Sequence, residues 1–201
     1  MLLKAALEEF ATIFNCFEKS RGIFVLRAPV AIIEPMGPNE PLHLGSTLTE
    51  YFSRVLLNEK SGIGGACYLK LITLEQLITY LSGWLWIRDK AGNLVENVES
   101  WKKSWIIIGD RNGDAIFVDI ESSNGAVYGS IQQENRLISS DLGSFFFTLA
   151  ECMVLEKEKY GYEVNDNDFK VIEPFLIDVR HIAERNFGTE GMKSFMNFFF
   201  E

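Results

Sequence analysis

The stretch from Trp105 to Ile131 limits the possible folds more than any other part of the chain. Trp105-Ile-Ile-Ile108 is apolar and rich in β-branched residues, as a buried strand is. Gly109-Asp-Arg-Asn-Gly113 follows, and Asn112-Gly113 tolerates the positive φ that a tight hairpin turn requires. Asp114 to Ile120 reads as the returning strand, Glu121-Ser-Ser-Asn-Gly125 as a second polar turn, and Ala126 to Ile131 as a third strand. Three neighbouring strands joined by short turns make an antiparallel meander.

Helical spacing appears on both sides of this meander. Leu2, Leu3, Ala6, Leu7, Phe10, Ile13, Phe14 and Phe17 recur on one face, and Gly22 is a plausible stop. Ile23 to Leu26 reads as a short buried strand. Residues 1–28 thus form a helix–strand arm. A connection over 29–43 holds Pro29, Pro35, Pro38 and Pro41 and is extended. Thr47 to Glu50 has the capping-box form, with a helix to about Leu57. The glycine-rich turn 61–65 precedes a strand over 67–72. A second box, Thr73 to Gln76, opens a helix through Leu81. Trp84 to Ile87 alternates weakly, as a strand does, and 88–103 reads as a polar loop. From Leu142 to Lys159 a helix places Phe145, Phe146, Leu149, Met153 and Glu156 on one inward stripe. Residues 160–201 form an extension with two helices, 175–186 and 191–200.

Charge narrows the function. Lys+Arg number 19 and Asp+Glu 28, giving a net charge of −9. A chain this acidic is unsuited to phosphate backbones or anionic membranes and is steered toward basic partners. Cys16, Cys67 and Cys152 are odd in number and widely spaced, which fits a reducing compartment. Glu8 and Glu9 interrupt the apolar start, so it does not read as a signal peptide, and no uncharged run is long enough to span a bilayer. A cytoplasmic location is the expectation.

Each reactive-looking pattern has a plainer explanation. Asp110, Asn112, Asp114 and Glu121 mimic the spacing of a calcium loop, but Ala115 holds the position that needs glycine and the flanks are strands. No metal site is expected. Asp114 and Asp119 lie five apart in one strand, so they point to opposite faces and read as strand-end caps. Cys152 sits mid-helix on the core side, far in sequence from His181. No lysine with serine or threonine follows Gly62, Gly64 and Gly65, so they form no phosphate loop. No catalysis and no cofactor are expected.

In order along the chain, several groups of residues carry a family pattern: Leu44, Gly45, Leu48 and Tyr51; Leu74, Glu75 and Leu77; Trp105, Ile108 and Gly109; Gly113, Asp114 and Asp119; Gly125 and Val127; Ser144, Phe145 and Leu149. With them the run 44–159 resembles the SMI1/KNR4 family, also called the SUKH superfamily. Thr49 departs from the family's proline. The resemblance implies an α+β domain, with a mainly antiparallel sheet and helices packed around it; the arm, connection and C-terminal extension are read as parts of the same single domain, 1–201. It implies protein binding rather than catalysis. The role it favours is that of an immunity-type protein that neutralises a basic toxin domain; an intracellular regulator or scaffold is the alternative.

The residues expected to meet such a partner are Asp110, Asp114, Glu121, Glu96 and Glu99, on turns and one loop, with Trp86 and Trp101 as surface anchors flanking the polar loop. Trp105 is expected in the core. The apolar tail Phe195 to Phe200 either docks on its own domain or on a second copy, so the state is monomer or homodimer.

Overall fold

The computed structural model describes residues 2–201. Helix α1 (Leu3–Cys16) follows its apolar spacing and buries Ala6, Leu7, Phe10, Ala11 and Phe14. Strand β1 (Phe24–Leu26) pairs antiparallel with β2 (Val55–Leu57), which leaves the end of helix α2 (Gly45–Arg54). The expected box at Thr47 is not used. The helix begins three residues earlier, at Gly45 rather than Leu48, and the Thr47 methyl lies where a side chain on Gly125 would stand, 2.7 Å from that Cβ position. The box at Thr73 does form: the Gln76 side chain accepts from the Thr73 N–H at 3.1 Å. It opens a short 3-10 turn leading into α3 (Leu77–Leu81).

The central sheet holds β3 (Gly62–Ile63), β4 (Leu69–Leu71), β7 (Trp105–Arg111), β8 (Asp114–Asp119), β9 (Ala126–Ile131) and β10 (Glu134–Ser139). Its order is β10-β9-β8-β7-β4-β3, and every neighbouring pair is antiparallel. The meander 105–131 is therefore present, with β7 and β8 paired from Trp105 opposite Asp119 to Arg111 opposite Asp114 and the register shifting once, between Ile107 and Gly109. A fourth strand, β10, extends it. The turn that produces it uses Gln132 and Gln133 with φ of 50° and 70°. Glutamine carries no turn signal, so the strand escaped the sequence.

Residues 88–103 are not simply a loop. The weak alternation leads into strand β5 (Trp86–Arg88), which forms a separate hairpin with β6 (Leu94–Glu96); β6 is largely exposed, which is why no alternation marks it. Helix α4 (Leu142–Val154) starts at Asp141, whose carboxylate accepts from the Ser144 N–H at 2.7 Å, and runs on through a π-helical turn, Leu155–Lys159. Helix α5 (Glu173–Phe200) is broken at Gly188 (φ 72°, ψ 177°), which divides it much as the two expected helices. The result is an α+β fold.

The arm and the tail both pack on their own chain. Phe10 and Phe24 from the arm meet Phe146 of α4 at ring distances of 5.0 and 6.0 Å. In the tail, Phe195, Met196, Phe198 and Phe199 are buried, with Phe198 over Gly129 of β9. A Cβ on Gly129 would stand 2.6 Å from that ring, so the close approach requires glycine.

Tyr51 packs beside this cluster, stacked on Phe146 at 5.4 Å. Its ring is fully buried, its hydroxyl has no partner among the described residues, and burial pushes the phenol well above its usual range. A buried hydroxyl without a partner costs roughly 1–3 kcal/mol. Tyr51→Phe is therefore expected to stabilise the protein by about 1 kcal/mol and raise Tm by about 2–4 °C in thermal unfolding. A fall in Tm would show that the hydroxyl is satisfied.

Candidate protein-interaction face

The end of the sheet where β7 begins and β8 finishes collects most of the expected partner-binding residues. Glu96 ends β6, and its carboxylate lies 2.8 Å from the Lys103 Nζ. Glu40, from the Pro-rich connection, reaches the same ammonium at 2.9 Å. The two carboxylates, Glu96 foremost, hold the Lys103 ammonium above its ordinary pKa. Glu99 lies in the exposed turn between Asn97 and Trp101. Asp119 closes β8: one carboxylate oxygen accepts from the Glu121 N–H at 3.1 Å and the other from the Trp105 indole at 3.3 Å. This is the capping role expected for it, and it leaves the Glu121 side chain outside, exposed.

Trp86 and Trp101 are not surface anchors. Only 6% and 3% of their surfaces are exposed. The reason is that the chain between them folds back. The Asn97 N–H donates to the Leu85 carbonyl at 2.7 Å, and its side-chain amide donates to the Trp84 carbonyl at 3.0 Å. Trp101 is thereby drawn inward, where its indole donates to the Trp105 carbonyl at 2.9 Å and its ring lies 4.8 Å from both Trp84 and Phe117. Trp86 is covered by Gly37, where a Cβ would stand 3.0 Å from the indole. Both indoles therefore form the rigid wall behind the face.

What is exposed is aliphatic, and no pattern in the sequence marks it. Ile33 and Met36 of the connection are 87% and 68% exposed, and Val98 beyond β6 is 71% exposed. Connection and hairpin adjoin through the Gly37–Trp86 contact and the shared Lys103. A hollow of about 180 Å³ between them is lined by Pro38, Pro41, His43 and Lys103 among others. Glu34 adds a further carboxylate, accepting from the Leu44 N–H at 3.1 Å. Six carboxylates (Glu34, Glu40, Glu96, Glu99, Asp119 and Glu121) thus lie on the connection, the hairpin segment and the end of β8, with Lys102 and Lys103, and two of them, Glu40 and Glu96, pair with Lys103. With Arg88, Asp89 and Lys90 at the hairpin tip included, seven acids and four bases leave this end at −3.

Asp110 and Asp114 are not part of this face. They sit at the β7–β8 turn, the other end of β8, about 20 Å away at some 3.4 Å per residue. Burial raises the Asp110 carboxyl above its usual range, against the opposing pull of the Gly113 N–H and of Lys70. The five carboxylates therefore divide between two ends and do not form one surface. Sequence places an acid on a turn; only the register shows which end of the sheet that turn occupies.

The interior holds one ionised pair and one thiol pair. Glu156, inward as its spacing predicts, accepts from Lys19 at 2.7 Å and from the Ala66 N–H at 2.9 Å. Cys67 and Cys152 are both buried; the neighbouring Cys152 thiol, together with burial, pushes the Cys67 thiol well up and disfavours its thiolate. His181 is exposed on α5, and Cys152 has Cys67 as its neighbour. Among the described residues no group of three or more His, Cys, Asp or Glu is placed to hold a metal ion, and no helix is long and apolar enough to cross a membrane. The chain matches no family model, no curated protein and no solved structure.

Proposed function

We propose that this chain is a non-catalytic protein-binding domain of the SMI1/KNR4 type, an immunity-type protein that binds and neutralises a toxin domain with a basic surface. The observation that carries the reading is the exposure of Ile33 and Met36 on the connection and of Val98 beyond β6, on two segments joined by the Glu40–Lys103–Glu96 pairs and backed by buried tryptophans. Exposed apolar side chains rimmed by charge mark protein contacts, and desolvating them holds a complex once it has formed. The carboxylates raise the encounter rate with a cationic partner. The sequence pattern from Leu44 to Leu149 and the α+β fold agree with the family reading.

The test is co-expression with the toxin domain encoded beside this chain. Wild type is expected to restore growth. Glu99→Lys/Glu121→Lys, which reverses two exposed carboxylates with no ion-pair partner among the described residues, is expected to lose at least about tenfold in affinity and to fail in rescue. Equal rescue by wild type and variant would place the contact elsewhere. No rescue and no binding by wild type would remove the immunity reading.

A further inference from the structure

The opposite end of the sheet carries the reverse chemistry. Among the described residues, ten of the 19 Lys and Arg side chains sit in ion pairs, and nine do not. Five of those nine, Arg21, Lys60, Lys70, Arg111 and Lys170, line two adjoining hollows of about 490 and 680 Å³ that meet at Tyr68. Glu59 is the one carboxylate in either lining. In a chain of net charge −9 the lining itself is cationic, five Lys and Arg to one carboxylate, with Lys70 also facing Asp110 across the β4–β7 pair.

The lining is also aromatic, and one of its donors is unfilled. Tyr68 is half-exposed at the junction, Phe200 borders the second hollow, and Phe169 stands 90% exposed with a left-handed φ of 61°. A phenylalanine held that way, outside the core, gains nothing from burial within this chain. Arg111 is fixed by a 2.6 Å bond from its guanidinium to the Phe199 carbonyl, while its Nε is buried without an acceptor. A fixed guanidinium and lysine ammonium groups beside exposed aromatic rings suit a carboxylate chain with an aromatic side chain in it.

We infer that this groove binds a short acidic peptide segment containing an aromatic residue, its carboxylates meeting Lys60, Lys70, Arg111 and Lys170 and its ring packing on Tyr68. A nucleic-acid strand fits less well. Asp110 and Asp114 flank the groove at the β7–β8 turn, and Asp166 and Asp168 flank it beside Phe169; a longer run of phosphates would meet these acids. The inference is independent of the role of the acidic end.

The test is fluorescence anisotropy with a labelled, end-blocked peptide, Asp-Glu-Phe-Glu-Asp. Its lysine counterpart and an oligothymidylate of equal charge serve as controls. The full chain is expected to bind the acidic peptide and to ignore the lysine one. Lys60→Glu/Lys170→Glu, at two exposed positions, is expected to weaken binding at least about tenfold, with the circular dichroism spectrum unchanged. Lys102→Glu, which removes an unpaired cation at the far end, is expected to change nothing. No signal with the acidic peptide would overturn the proposal. So would equal affinity in the Lys60→Glu/Lys170→Glu variant, an equal loss in Lys102→Glu, or tighter binding of the oligothymidylate.

Discussion

Phe146→Ala is expected to destabilise the protein by about 4 kcal/mol, the range found when a fully enclosed phenylalanine is truncated. Phe146 is fully buried and lies at the junction of three parts of the chain. Its ring is 5.0 Å from Phe10 of the arm, 6.0 Å from Phe24 of β1 and 5.4 Å from Tyr51 of α2. Alanine would remove the common partner of all three, and a rigid set of neighbouring rings closes poorly over the void. In a chain of this length the loss corresponds to a fall in Tm of about 8–16 °C. Phe10→Ala should be less costly when Phe146 is already alanine, because the two rings share one contact. Additive losses would mean that the arm does not dock on α4 as described.

Lys19→Met is expected to cost about 2–3 kcal/mol, for a different reason. The Glu156 side chain is 3% exposed, and its charge is held by the Lys19 ammonium at 2.7 Å and the Ala66 N–H at 2.9 Å. Gly65, at φ 72°, closes over the carboxylate so tightly that any Cβ there would strike it. Removing one partner of a buried pair leaves an uncompensated charge, worth roughly 3–5 kcal/mol when both are enclosed. Lys19 itself is 34% exposed, so water admitted at its place lowers the penalty. Adding Glu156→Gln to Lys19→Met should recover most of the loss in denaturant unfolding, since a neutral amide keeps the acceptor for Ala66 without the charge. No recovery would show that Lys19 acts through packing on Tyr162, whose ring it overlies at 5.3 Å.

These two sites also show what the sequence disclosed. The spacing of α4 put Phe146 and Glu156 on one inward stripe, and both are buried; Asn112-Gly113 located the central hairpin because few residues accept its geometry. Strand β10 was hidden because two glutamines adopt positive φ without any sequence mark. Weak alternation over Trp84–Ile87 marked β5, but β6 was hidden because a strand lying off the core need not alternate. Trp86 and Trp101 misled for a related reason. A polar neighbourhood reads as surface, and the fold-back through Asn97 that buries them is a long-range fact. The acids on turns were identifiable one by one, but their division between two ends of the sheet follows from register alone.

The acidic end is most directly tested by stopped-flow association of the purified chain with the neighbouring toxin domain, over about 0.05 to 0.5 M salt, where the screening length shortens from roughly 14 to 4 Å. If carboxylates around Ile33, Met36 and Val98 guide a basic partner in and aliphatic burial holds it, the association rate should drop at least about tenfold while dissociation changes little. An association rate indifferent to salt, or no complex at any ionic strength, would contradict the account.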